Sequence, residues 1–104
     1  VEQGKLVYAY VIKYGLESDL FVASAFLDMD AKCGSIEYAR RVFDKVKLRD
    51  RVLWNLMIAG YVQSSNEEVA LQLFYEMQCG GLKPTQSSYA SVIKACANLE
   101  ALGD

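Results

Sequence analysis

Histidine is absent from this 104-residue chain, proline occurs once, and the three cysteines include no CxxC pair. Without histidine, Cys33, Cys79 and Cys96 make no credible zinc ligand set, and no His base is at hand to activate a thiol. They are expected as small buried or half-buried helix residues in a reducing compartment. No run of 18 uncharged apolar residues occurs, so no membrane span is expected. Low-complexity segments and strand patterning are missing too. Positive charge is not in surplus: the net charge is −2 and the pI about 5.1, which argues against a protein that binds nucleic acid mainly by neutralising phosphates. Glu67, Glu68 and Glu76 form no acid/base pair that can be placed in a pocket, so neither catalysis nor a cofactor is expected. The opening Val1-Glu2-Gln3 shows no initiating Met, signal or transit pattern, and is read as the start of a fragment or processed piece.

What the chain does have is apolar content of 53%, enough for one real core. Its clearest unit runs from Arg51 to Thr85. Trp54, Met57, Ile58 and Tyr61 fall at i, i+3, i+4, i+7, one stripe of a helix. Val69, Ala70, Leu73, Phe74 and Met77 form a similar stripe on a second helix. Ser64-Ser65-Asn66 turns or caps between them, and Gly80-Gly81 with Pro84 ends the pair. On the same reasoning a helix over 3–14 presents Leu6, Val7, Tyr10, Val11 and Tyr14 and stops at Gly15. A helix over 20–32 presents Phe21, Val22, Ala25, Phe26 and Met29, closed by Gly34. Ser35 is the expected N-cap of a helix over about 36–47 with Ile36, Ala39, Val42, Phe43 and Val46. A last helix over about 86–97 presents Tyr89, Val92, Ile93 and Cys96, and 98–104 reads as a turn and the start of another helix. The aromatics Trp54, Tyr89, Tyr61 and Tyr38 are expected in core packing more than as stacking platforms. Arg40, Arg41, Lys45, Lys47 and Arg49 read as a solvated face, with phosphate contact as the alternative.

These elements repeat. Ala39/Ala70, Phe43/Phe74, Val46/Met77 and Leu27/Ile58 are each separated by 31 residues. Trp54/Tyr89, Met57/Val92 and Ile58/Ile93 are separated by 35. The chain divides into the second half of one repeat (1–19), a 31-residue repeat (20–50), a 35-residue repeat (51–85) and the first half of another (86–104). Helical pairs repeated in this way stack through their apolar faces, so the expected fold is an all-α solenoid.

The segments AKCGSIEYARRVFDKV, RDRVLWNLMIAGYVQ, ALQLFYEMQCGGLKPT and YASVIKACANLEAL resemble plant pentatricopeptide repeats. The alternating lengths are similar to the PLS subclass, in which long, short and standard repeats rotate; 1–19 and 86–104 then belong to L-type repeats, 20–50 is S-type and 51–85 P-type. Asp30 stands where the family usually has Tyr, and Thr85 where Asp is usual. The resemblance implies a right-handed superhelix that binds single-stranded RNA, one base per repeat. Its base-reading pairs map onto Ser24 with Asp50 and onto Asn55 with Thr85, implying guanine and then a pyrimidine. Phe21 and Val52 would sandwich the bases. Ala90, with Ser87, would be a poor reader in the last repeat, and Asp19 ends a repeat whose reading helix is missing. From residue chemistry alone, Ser24 is an ordinary helix residue and Asp50 a candidate cap for the next helix.

The resemblance also implies an organellar factor, in mitochondrion or chloroplast, that processes or edits RNA (C to U). The alternative is a protein-interaction scaffold, contacting accessory editing factors or self-associating through its unpaired end helices; the 31/35 alternation speaks against the tetratricopeptide period of 34. Family members that edit can carry a deaminase domain with HxE and CxxC zinc ligands, which do not occur here. Stacking contributes about 1–3 kcal/mol per base, so two complete repeats alone should bind RNA in roughly the millimolar range.

Overall fold

A computed structural model describes residues 2–32 and 36–103, with side chains at 5–16, 18–31 and 36–100. Six helices follow one another: α1 (Glu2–Lys13), α2 (Leu20–Lys32), α3 (Glu37–Lys45), α4 (Arg51–Gln63), α5 (Glu67–Cys79) and α6 (Gln86–Gly103), with a 3-10 turn at Leu16–Ser18. No strand occurs among the described residues. Helix α4 is the hub: it packs on α5, its partner in the hairpin, and on both α2 and α6. Thus α2, α4 and α6 form one layer, and α1, α3 and α5 back it. The extents are 45 × 32 × 17 Å, a slab two helices thick. This is the all-α repeat architecture expected.

The stops are chemical. Gly15 turns the chain out of α1 with φ 64°. At the end of α5, Gly81 N–H donates to Gln78 O at 3.0 Å and Leu82 N–H to Met77 O at 3.2 Å, while Gly81 sits at φ 91°. Those two bonds and the left-handed residue make a Schellman closure. Pro84 then keeps the helix from resuming.

The central stripe is as expected: Trp54, Met57, Ile58 and Tyr61 are all buried, with Leu53 and Val62 beside them. Phe43 meets the Trp54 ring edge-on at 5.0 Å between centroids. Gly60 lets α4 approach its neighbours, since a Cβ there would lie 2.8 Å from Ile36 Cδ1 and 3.3 Å from Ala31 Cβ.

Several faces differ from the expected ones. In α2 the buried residues are Ala23, Phe26, Leu27 and Asp30, whereas Ala25 is exposed and Phe21 is 81% exposed. In α1, Val11 is buried and Tyr8 packs on Phe26 and Tyr38, leaving Leu6, Tyr10 and Tyr14 outside. In α6, Ser88 and Ala95 are buried while Tyr89, Ile93 and Cys96 are exposed. The reason is common to all three: an apolar side chain goes inside only where a neighbouring helix meets its face, and these helices have neighbours on fewer sides than α4 does. The same reason corrects the cysteines, for Cys79 and Cys96 are free and exposed rather than buried.

Helix α6 also runs to Gly103 without the expected turn at Asn98. Asn98 donates from Nδ2 to Glu67 Oε2 at 3.1 Å, fastening the far half of α6 to the start of α5. Cys33, Gly34 and Ser35 lie outside the described residues. The N-cap of α3 is Ile36, which provides no side-chain acceptor. Asp30 supplies one from α2, accepting the Ala39 N–H at 2.8 Å. Arg49 is no solvated cation: its Nε donates to Phe43 O at 2.9 Å and its Nη2 to Asp44 O at 3.3 Å, capping the end of α3.

Candidate nucleic-acid interface

The last residue of each expected repeat occupies one structural position. Asp19, Asp50 and Thr85 immediately precede α2, α4 and α6. Asp19 Oδ1 accepts from Phe21 N (2.9 Å) and Val22 N (3.2 Å), and Asp50 Oδ1 accepts from Leu53 N (3.0 Å). Both carboxylates therefore cap the positive end of the helix they introduce. The capping role weighed for Asp50 is present in the structure.

Thr85 behaves differently. Its N–H donates to Ser88 Oγ at 3.0 Å, the half of a capping box in which the third helical residue reaches back. Its Oγ1 accepts from Asn55 Nδ2 at 2.9 Å. Ser88 Oγ in turn donates to Asn55 Oδ1, and lies 3.3 Å from Thr85 Oγ1. A serine hydroxyl donates once and accepts twice. With the Ser88 hydrogen committed to Asn55, the Thr85–Ser88 contact is donated by Thr85. The three side chains then form a closed ring: Asn55 to Thr85, Thr85 to Ser88, Ser88 to Asn55. Ser88 is fully buried beneath it.

This ring adjoins an open groove of about 450 Å³ between α4 and α6, lined by Val52, Asn55, Leu56, Ala59, Ser87, Ala90 and Ser91. Its walls are mostly small or apolar and its one amide is Asn55. Asn55 is half-buried, with one amide hydrogen not used by the ring. Val52 is 54% exposed at the groove. Phe21 holds the same place on α2 that Val52 holds on α4, 31 residues earlier.

The structure thus brings Asn55, Thr85, Val52, Ser87 and Ala90 to one place. It does not join Ser24 and Asp50: Ser24 Oγ donates to Phe21 O at 3.0 Å within its own helix, and among the described residues no hydrogen bond links it to Asp50. Sequence reading named Asn55 and Thr85 but missed Ser88, which forms the third side of the ring. The T-x-x-S spacing at Thr85–Ser88 was the available signal.

A two-layer stack of helical hairpins, with a groove of small and apolar residues between the inner helices α4 and α6, defines a helical-repeat solenoid. The PPR repeat family model matches residues 49–98, which include α4, α5 and most of α6. A pentatricopeptide repeat-containing protein from Arabidopsis thaliana is 42% identical over 102 residues, covering 98% of this chain and 14% of the relative. A chloroplastic and a mitochondrial protein of the same description and organism are each 42% identical over 96 residues, covering 92% of this chain and 12% of theirs. The chain belongs to the pentatricopeptide repeat family, whose members bind RNA. It spans about a seventh of the length of the first of these relatives, 14%.

Proposed function

We propose that this chain is a base-reading segment of an organellar RNA-processing factor, in mitochondrion or chloroplast, acting in C-to-U editing. The observation that carries the reading is the Asn55–Thr85 hydrogen bond beside the groove between α4 and α6. A flat nucleobase entering there would lie against Val52 on one side and the small Ser87 and Ala90 on the other. The remaining amide hydrogen of Asn55 would meet an acceptor on its edge, and uracil and cytosine both offer O2. One base per repeat is what the resemblance implies, and the recurrence of Phe21 and Val52 at equivalent positions 31 residues apart supports it. Ser24 and Asp50 would read the preceding base as guanine, with Phe21 against its face. The 31- and 35-residue periods support the PLS subclass and the repeat boundaries at 19/20, 50/51 and 85/86. The test is binding of this segment, grafted into a longer neutral repeat array, to RNAs varied at the two facing bases. A preference for guanine followed by a pyrimidine is expected; equal affinity for all variants refutes the reading.

One observation favours a second reading, a protein-contact scaffold. Leu6, Tyr10 and Tyr14 on α1 and Tyr89 and Ile93 on α6 are each more than half exposed, so both ends of the slab carry apolar side chains. Self-association through these faces predicts a concentration-dependent mass in light scattering, and a constant monomer mass at high concentration refutes it.

A further inference from the structure

Leu48 stands in water, 83% exposed, in the loop between α3 and α4. A single exposed leucine is ordinary; this one lies between two clefts. On one side is a cleft of about 440 Å³ with Ser18, Leu20, Lys45 and Val46 in its walls. On the other is one of about 550 Å³ that reaches Trp54, Met77, Gly80 and Leu82. Leu20, Lys47 and Leu48 line both, so the two run together as a trough along the edge where α3 ends and α2 and α4 begin. We propose that this trough binds an acidic segment of a protein partner, which seats a bulky apolar side chain beside Leu48 and sets carboxylates against Lys45 and Lys47. The proposal does not rest on base reading, for the trough shares no lining residue with the groove beside Asn55.

Charge decides the partner's sign. Lys45 and Lys47 are exposed and make no ion pair among the described residues. The neighbouring aspartates do not answer them. Asp44 pairs with Arg40 at 3.1 Å, while Asp19 and Asp50 turn Oδ1 onto the first N–H groups of α2 and α4. Lys45, in the last turn of α3, suits the dipole of that helix. Lys47 lies beyond the cap residue Val46, where the dipole contributes little. The fold thus accounts for one lysine and leaves the other to a ligand.

Apolar surface decides the partner's class. RNA offers phosphates to lysines but nothing for Leu20, Leu48 and Leu82 to cover. The ring that lines the trough, Trp54, is only 8% exposed and is no platform for a base. An acidic peptide with a leucine-like side chain carries both chemistries within one turn. The walls are also fixed before it arrives. Val46 is buried, Arg49 holds the last carbonyls of α3, and Leu82 N–H is bonded to Met77 O across the end of α5. Little ordering of the loop then opposes binding.

The test pans phage-displayed short random peptides on the 104-residue chain and measures the enriched sequences, as free peptides, by fluorescence polarisation at low and high salt. Enriched peptides should join Asp or Glu to Leu, Ile, Met or Phe within one turn, and bind more weakly at high salt. Leu48→Ser should weaken them about tenfold, as loss of a central apolar contact does. Lys47→Glu should weaken them about as much and turn a fresh selection toward basic peptides. Both side chains are exposed, so the melting temperature should stay at the wild-type value, which separates a loss of binding from a loss of fold. Peptides that bind both variants as tightly as wild type overturn the proposal. So do enriched peptides without acids, and a selection that enriches nothing. Reduced affinity of the two variants for single-stranded RNA, with no peptide selected, assigns the trough to RNA instead.

Discussion

Asp30 on α2 holds the first turn of α3 through a single bond, its Oδ2 accepting the Ala39 N–H at 2.8 Å in a site where Asp30 is 1% exposed. A carboxylate in that position satisfies a helix donor that Ile36 leaves open, but its charge is taken out of water. Burial pushes its pKa above the ordinary carboxylate value, and the Ala39 bond only partly opposes this. The folded chain therefore binds the proton more tightly than the unfolded chain does. The stabilisation from protonated Asp30 is fully present below the ordinary value of 3.8 and is lost as pH rises through the raised folded value. Asp30→Asn, which keeps an acceptor without the charge, should flatten that part of the pH–stability curve. Asp30→Ala should cost about 1–3 kcal/mol near neutral pH by orphaning the Ala39 N–H. Urea denaturation of the three proteins across the acid range checks both statements.

Arg49 offers a second test of a polar group turned inward. Its guanidinium lies 4.5 Å from the Phe43 ring centroid and 5.6 Å from that of Trp54, while its nitrogens hold the last carbonyls of α3. A lysine ammonium lacks both the planar face and the fork. Arg49→Lys should lose about 1 kcal/mol of stability by thermal or urea unfolding, despite keeping the charge. RNA affinity at fixed salt should not change, because this cation is committed to the fold. A loss of affinity in a fully folded variant would show that Arg49 reaches phosphate after all.

How much of this was legible in the sequence follows from what each signal reports. Gly15, Gly80-Gly81 and Pro84 act through backbone geometry, so the helix ends they dictate hold wherever the chain sits. The central stripe of α4 was legible because α4 has neighbours on several sides, which bury Trp54, Met57, Ile58 and Tyr61 and leave only the groove side, with Val52, open. Phe21, Tyr10 and Ile93 look the same to a periodicity argument, yet they are exposed, since the pattern cannot say which faces another helix covers. Asp30 and Ser88 were invisible as core residues because polar side chains read as surface. Asp30 is inside for the sake of Ala39 on another helix, a partner no local window contains; Ser88 also meets Asn55 across helices, and only its bond to the Thr85 N–H is marked by a local spacing. Asn98 was misread for a related reason: a turn-forming residue, it stays helical while its amide reaches Glu67.

The turn between α4 and α5 stores a small strain. Ser65 has φ 64°, the left-handed region, which for a residue with a Cβ costs on the order of 1 kcal/mol. Its N–H donates to Val62 O at 3.2 Å and the next N–H, of Asn66, to Tyr61 O at 2.8 Å, so the turn has reason to hold that conformation. Ser65→Gly should therefore stabilise the fold by roughly 0.5–1 kcal/mol, after allowing for the extra freedom glycine has when unfolded. Ser65→Val should destabilise it by more than that. Thermal unfolding of the pair reads the sign directly.

Two phenylalanines separate folding from function. Phe43 is 1% exposed against Trp54 and Arg49, and Phe21 is 81% exposed at the start of α2. Phe43→Ala should cost about 3–5 kcal/mol, the transfer of a ring plus the cavity it leaves, enough to unfold a repeat array of modest stability. Phe21→Ala removes a ring already in water, and stability should stay within about 0.5 kcal/mol of wild type. Its backbone N–H still donates to Asp19, so α2 keeps its cap. If Phe21 stacks on a base, the same substitution should weaken RNA binding by about 1–3 kcal/mol in an array long enough to bind. The loss should be similar for all four bases at that position, because every base offers a π-face. A folded Phe21→Ala array with undiminished affinity would remove Phe21 from the interface, and a loss confined to one base would make it a reader instead of a platform.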